Sequence, residues 1–114
     1  MHELSVASNL MDICLEKAAE NNASKITGIK LKIGKLSGIE IHFLKEAFEA
    51  VCTGSIAENC EFDYFLQDIV IFCKICRKEY SIKDNIFICP KCETRDIKVV
   101  DGEELVLMNI VLET

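Results

Sequence analysis

Four cysteines stand in two pairs, Cys73-Lys74-Ile75-Cys76 and Cys89-Pro90-Lys91-Cys92, with twelve residues between the pairs. Two residues between cysteines let a tight turn aim both sulfurs at one point, and two such turns joined by a short hairpin close a tetrahedron around a metal. This spacing predicts a Cys₄ zinc site. All four positions would be filled by protein, so the site is structural and leaves no place for a catalytic water. Zinc would supply folding free energy that so short a segment cannot draw from a core. Three other readings use the same thiols: iron in place of zinc, a redox dithiol, or two disulfides in an oxidising compartment. The doubled pair at ribbon spacing favours structural zinc over all three.

The chain opens Met1-His2-Glu3. If the terminal amine is free, the amine, the His2 amide nitrogen and the His2 imidazole can reach one ion through small chelate rings. Nitrogen donors in one plane suit square-planar Ni(II) or Cu(II), and Glu3 could complete the shell. On chemistry alone, an ordinary solvated histidine near the chain end is the favoured reading. A helix beginning directly after Glu3 would improve the case for a ligand by holding the three residues still. His42, the only other histidine, could be a spare metal ligand, but an exposed residue opening a helix is the favoured reading. Cys14 and Cys52 read as small core residues, and Cys60 as a strand-start thiol for which burial outranks a metal or dimer-disulfide role. No serine, cysteine or carboxylate stands beside a histidine at catalytic spacing, so no enzyme activity is expected.

The elements that must position these residues follow from periodicity. Glu3 to Asn21 reads as an amphipathic helix with a stripe of Leu4, Ala7, Met11, Cys14 or Leu15, and Ala18, stopped at Asn21-Asn22. Ile26 to Ile33 reads as a strand, with Ile29, Leu31 and Ile33 alternating against Lys30 and Lys32. His42 to Cys52 reads as a second helix whose apolar side is Phe43 or Leu44, Ala47, Phe48 and Val51. Cys60 to Gln67 follows as a strand with Phe62, Tyr64 and Leu66 on one face. Asp101-Gly102 is a turn, and Leu105 to Leu112 is an apolar final strand. Three strands and two helices predict a two-layer α/β fold, with a small Cys₄ zinc-ribbon-like lobe inserted before the last strand. The expected domains are 1–70 plus 99–114 for the α/β body and 71–98 for the zinc lobe.

Composition narrows the class. Half of the 114 residues are hydrophobic and 28% are charged, which describes a globular chain. No apolar run is long enough to span a bilayer, and the start lacks the pattern of a signal peptide. Three cysteines remain outside the metal set, and thiols left over in this way suit the reducing cytoplasm. The net charge is −6, yet Cys73 to Lys98 holds seven basic and four acidic residues, leaving the lobe at +3 and the remainder at −9. That basic footprint is too slight for nucleic acid but biases the lobe toward acidic protein surfaces.

Several stretches together resemble a known family. They are Met1-His2-Glu3-Leu4-Ser5, Ile33-Gly34-Lys35-Leu36-Ser37-Gly38-Ile39-Glu40, Ala47-Phe48-Glu49, the two cysteine pairs, and Gly102-Glu103-Glu104-Leu105. The chain resembles HypA, the nickel metallochaperone of [NiFe]-hydrogenase maturation, over essentially its whole length. The resemblance implies nickel bound by Met1, His2 and Glu3 as transferred cargo, with Glu40 as an acid linked to that site. It implies zinc on Cys73, Cys76, Cys89 and Cys92. It also implies a HypB-type GTPase partner and the hydrogenase large-subunit precursor as recipient. Some relatives also serve urease, which adds urease maturation proteins to the implied partners. The oligomeric state implied is a monomer or a homodimer. Two departures stand out. Glycine often follows the second cysteine of such knuckles, where Arg77 and Glu93 stand here, and the histidines some members carry beside the knuckles are missing. The competing expectation is a zinc-ribbon adaptor that binds protein and carries no nickel.

Overall fold

The computed structural model describes residues 3–83 and 85–114. Its elements, in order, are α1 (Glu3–Glu20), β1 (Lys25–Gly34), α2 (Ile41–Cys52), β2 (Glu61–Gln67), β3 (Ile69–Cys73), β4 (Lys78–Ile82), β5 (Ile97–Asp101) and β6 (Leu105–Glu113). The strands form two small sheets, ordered β2-β1-β6 and β4-β3-β5. This is the expected mixed α/β architecture, with the Cys₄ lobe preceding the last strand. The chain divides into two compact units. One gathers the residues up to Leu31, Gly38–Tyr64 and Val106–Thr114; the other is Lys32–Ser37 with Phe65–Leu105.

In the first unit α1 packs on α2. Ala7, Leu10, Met11, Cys14 and Ala18 are the buried side of α1. Leu4, read as part of that stripe, is 61% exposed, Leu15 is also exposed, and Leu10 is buried instead. Periodicity sets which face a helix presents, but not how far its neighbour extends along that face. The helix stops at the two asparagines. Asn22 adopts a left-handed φ of 55°, and the Ala23 N–H returns to the Ala18 carbonyl at 2.9 Å, a common way to satisfy the last carbonyls of a helix.

Glu40 caps α2. Its carboxylate accepts the His42 N–H at 3.3 Å, and its carbonyl accepts the Leu44 N–H at 2.9 Å, satisfying groups a helix start leaves open. Leu44, Phe48 and Cys52 are the buried positions, and of the pair Phe43 and Leu44 it is Phe43 that faces solvent. The Phe48 ring lies 5.7 Å from Phe62, and Phe62 lies 6.1 Å from Tyr64, an alternating pair on β2 meeting a helix aromatic. Tyr64 is nevertheless 40% exposed at this edge strand. Cys14 and Cys52 are buried as expected. Burial pushes both thiols up to about 11, with the neighbouring Cys60 adding to it, so they stay protonated core residues.

The second unit is organised on β3, whose Ile69, Ile71 and Cys73 alternate into a core with Ile82 and Cys89. The sequence did not separate β3, β4 and β5 from the surrounding loops, because five-residue strands beside knuckles carry little periodic signal. β4 and β5 both pair antiparallel with β3. Two glycines are required here by contact. A Cβ on Gly34 would run into the Gly102 carbonyl, and Gly102 itself sits at φ +101° with the Asp68 carbonyl 2.9 Å from where its Cβ would be. The Lys32 ammonium reaches Asp101 at 2.8 Å. That hydrogen bond, with a second from the Gly102 N–H, holds the Asp101 carboxyl below its ordinary range. Among the described residues, no helix is long and apolar enough to cross a membrane.

Candidate metal centres

Cys73 is the last residue of β3 and pairs with Lys78, the first of β4, so the first cysteine pair occupies the turn of a hairpin. The Arg77 N–H closes that turn on the Cys73 carbonyl at 2.7 Å. The second pair repeats the device, with the Glu93 N–H on the Cys89 carbonyl at 2.9 Å. Arg77 and Glu93 have left-handed φ angles of 58° and 63°. Both knuckles therefore adopt the turn that favours glycine, and each non-glycine residue there costs about 1–2 kcal/mol.

The turns turn N–H groups toward sulfur. Cys73 Sγ accepts the Cys76 N–H at 3.2 Å. Cys89 Sγ accepts the N–H groups of Lys91 and Cys92, each at 3.4 Å. The knuckles are tied together by Lys74 N–H to the Asp96 carbonyl at 3.1 Å, and the second is closed by Cys89 N–H to the Thr94 carbonyl at 2.9 Å. All four sulfurs lie within 4.8 Å of one another, and those of Cys73 and Cys92 are 3.6 Å apart. A tetrahedral ion with metal–sulfur bonds of about 2.3 Å needs sulfurs separated by about 3.8 Å. The four thiols fit such an ion. All seven cysteines of the chain are thiols.

The electrostatics suit thiolate formation at one corner first. Burial acts to raise the Cys89 thiol, yet the N–H groups of Cys92 and Lys91 and the adjoining thiols outweigh it and hold it down at about 7. One participant was not singled out by the sequence reading. Tyr80 packs half-buried on the lobe core that contains Cys73 and Cys89. The signal was the alternation of Lys78, Tyr80 and Ile82 along β4, which sends Tyr80 to the side of buried Ile82.

Of the expected nickel ligands, Met1 and His2 lie outside the described residues. Glu3 begins α1, and its carboxylate accepts the Glu40 backbone N–H at 3.0 Å. Glu40 is the residue whose own carboxylate caps α2. The fold thus brings the starts of both helices together at Glu3 and Glu40, which are far apart in sequence. His42 points to Glu46 at 3.1 Å with its side chain 72% exposed, and it joins no metal cluster among the described residues.

A mixed α/β chain with a four-thiol knuckle lobe carries the donor set of a metal-binding protein. Comparison with known proteins makes this specific. The family model described as "Hydrogenase/urease nickel incorporation, metallochaperone, hypA" matches residues 1–112. The hydrogenase maturation factor HypA of Campylobacter jejuni is 38% identical, the match covering 99% of this chain and 100% of that one. HypA of Prosthecochloris aestuarii is 35% identical over 99% of this chain and 100% of its own. The solution structure of the Ni metallochaperone HypA from Helicobacter pylori superimposes with a TM-score of 0.72 at 27% identity, covering 99% of this chain and 98% of that chain. The chain belongs to the HypA family, metallochaperones of nickel incorporation that act in hydrogenase maturation and are not enzymes.

Proposed function

We propose that this protein carries Ni(II) on Met1, His2 and Glu3 and delivers it during [NiFe]-hydrogenase maturation, while Cys73, Cys76, Cys89 and Cys92 hold a structural zinc ion. The observation that carries the nickel reading is the Glu40 N–H donated to the Glu3 carboxylate at 3.0 Å. It anchors the first turn of α1 and keeps Glu40 beside Glu3, one of the proposed ligands. A few exposed nitrogen and oxygen donors bind an ion loosely enough to pass it on, whereas a closed sulfur cage would keep it. The four thiols, with sulfurs within 4.8 Å, support zinc in the other role. Zinc there cross-links two knuckles and does no chemistry.

In this reading the body, 1–70 plus 99–114, handles cargo and the lobe, 71–98, orients the partner. A HypB-type GTPase exchanges nickel with it, the hydrogenase large-subunit precursor receives the ion, and urease maturation proteins are a second outlet. Amide coordination releases protons, so nickel affinity falls as pH drops. The test is Ni(II) titration of untagged protein against His2→Ala and against protein with residues added ahead of Met1. Both changes are expected to abolish nickel uptake and leave zinc bound. Unchanged nickel affinity in either would reject the assignment.

A further inference from the structure

The sheet β2-β1-β6 has two edges, and they differ. β2 carries Glu61 and Asp63 within its length, and charge along an edge is a common guard against further pairing. β6 has no charged residue from Leu105 to Leu112, and its Val106, Met108 and Val111 stand exposed. Hydrogen bonds reach β6 from one side. Ser24, Thr27 and Gly34 donate to the carbonyls of Glu113, Val111 and Glu104, and these donors belong to β1 or the residue before it. The far edge of β6 ends the sheet, where alternate N–H and C=O groups turn outward. Beside β6 lies a groove of about 310 Å³, lined by Leu107, Ile110 and Leu112 and by Lys17 and Asn21 of α1. Among the described residues, none from β1 or β2 lines it, so it opens on the free side of β6.

We propose that this edge docks an extended segment of a partner protein, apolar in its middle and basic at its ends, which joins the sheet as a fourth strand. Main-chain hydrogen bonds along an edge supply affinity, and pockets for alternate side chains supply selectivity. Alternate apolar side chains of the added strand enter the groove over Leu107, Ile110 and Leu112. Charge selects the ends. Glu103 and Glu104 precede the strand and Glu113 closes it, all exposed. Basic ends complement these acids in either strand direction. The same acids disfavour a second copy of this chain. Two β6 strands paired antiparallel over the whole of Leu105–Leu112 would set Glu104 of each against Glu113 of the other, and like charges directly opposite are destabilising. The site uses neither metal, so it stands apart from the nickel and zinc readings.

The probe is an acetylated, amidated peptide of alternating valine and threonine with lysine at both ends. It is titrated into the full chain and followed by amide NMR. The expected result is shifts confined to Val106–Leu112 and to the groove wall at Lys17 and Asn21. Binding should be at least about tenfold tighter than that of the same peptide ended by glutamate. A double variant, Glu104→Lys with Glu113→Lys, alters only exposed side chains and should reverse that preference. N-methylation of alternate peptide nitrogens removes the donors from one edge of the probe. Methylating one alternate set should abolish binding, and methylating the other should leave it. Equal binding of the lysine and glutamate peptides, indifference to both methylation patterns, or shifts elsewhere on the chain would overturn the proposal. So would β6 shifts that depend on protein concentration alone, which would assign the edge to a second copy.

Discussion

The two units of this protein reach order by different means. The first buries Ala7, Leu10, Met11, Cys14, Ala18, Ile26, Ile29, Leu31, Leu44, Phe48, Cys52 and Ala57. The second has a core of Ile69, Ile71, Cys73, Ile82 and Cys89, two of which are metal-site cysteines. Apolar burial at about 25 cal/mol per Å² can carry a helix pair, but the buried isoleucines of the lobe, with Leu36, Tyr80, Ile97 and Val99 only partly buried against them, make a small core for three strands. Where apolar area is short, four sulfurs on one ion can supply the difference. The first unit is therefore a hydrophobic fold, and the second has a small core beside four clustered thiols.

Metal removal should break this comparison most sharply. Stripping the centre with a chelator, or substituting Cys73→Ala, is expected to cost the lobe most of its structure, since structural zinc supplies about 10–16 kcal/mol in small sites. Hydrogen exchange read residue by residue should show protection lost across β3, β4 and β5 and retained in α1 and α2. Protection that persists in the lobe without metal would mean its apolar core suffices.

The converse perturbation is Phe48→Ala. Phe48 is 1% exposed and stacks near Phe62, so truncation should destabilise the first unit by about 3–5 kcal/mol. Denaturant unfolding should report this, while zinc stoichiometry stays unchanged. Loss of zinc together with the helices would show that the two units do not fold separately.

The smallest effect sharpens the picture within the lobe. Glu93 holds a left-handed φ of 63°, and glycine adopts that conformation without the Cβ clash. Glu93→Gly is expected to stabilise the zinc-loaded lobe by about 1 kcal/mol, seen as a higher unfolding midpoint. A fall in that midpoint would show that the Glu93 side chain contributes more than its backbone costs.

Legibility in the sequence followed the strength of the pattern. The cysteine spacing named four residues that the fold brings within bonding reach of one ion, because a knuckle is a local structure written in consecutive residues. The alternation at Ile29, Leu31 and Ile33 marked β1, and asparagines marked the end of α1. Less legible were β3, β4 and β5, too short for a period to declare itself. The choices between Phe43 and Leu44, and between Leu4 and Leu10, were also hidden, since a stripe is defined by its neighbour as much as by its spacing.

The sequence by itself determined the two helices, the strands β1, β2 and β6, the sulfur set and the turn at Asp101-Gly102, all of which depend on residues within one or two turns of each other. Only the tertiary structure decided that the Glu3 carboxylate meets the Glu40 backbone and that Tyr80 packs on the core holding Cys73 and Cys89. The same is true of the close approach of Gly34 to Gly102. Glu3–Glu40 and Gly34–Gly102 join segments whose separation along the chain carries no periodic signal, and the packing of Tyr80 depends on how β4 lies against β3. Each partner is fixed by how elements pack, and packing is a property of the whole fold.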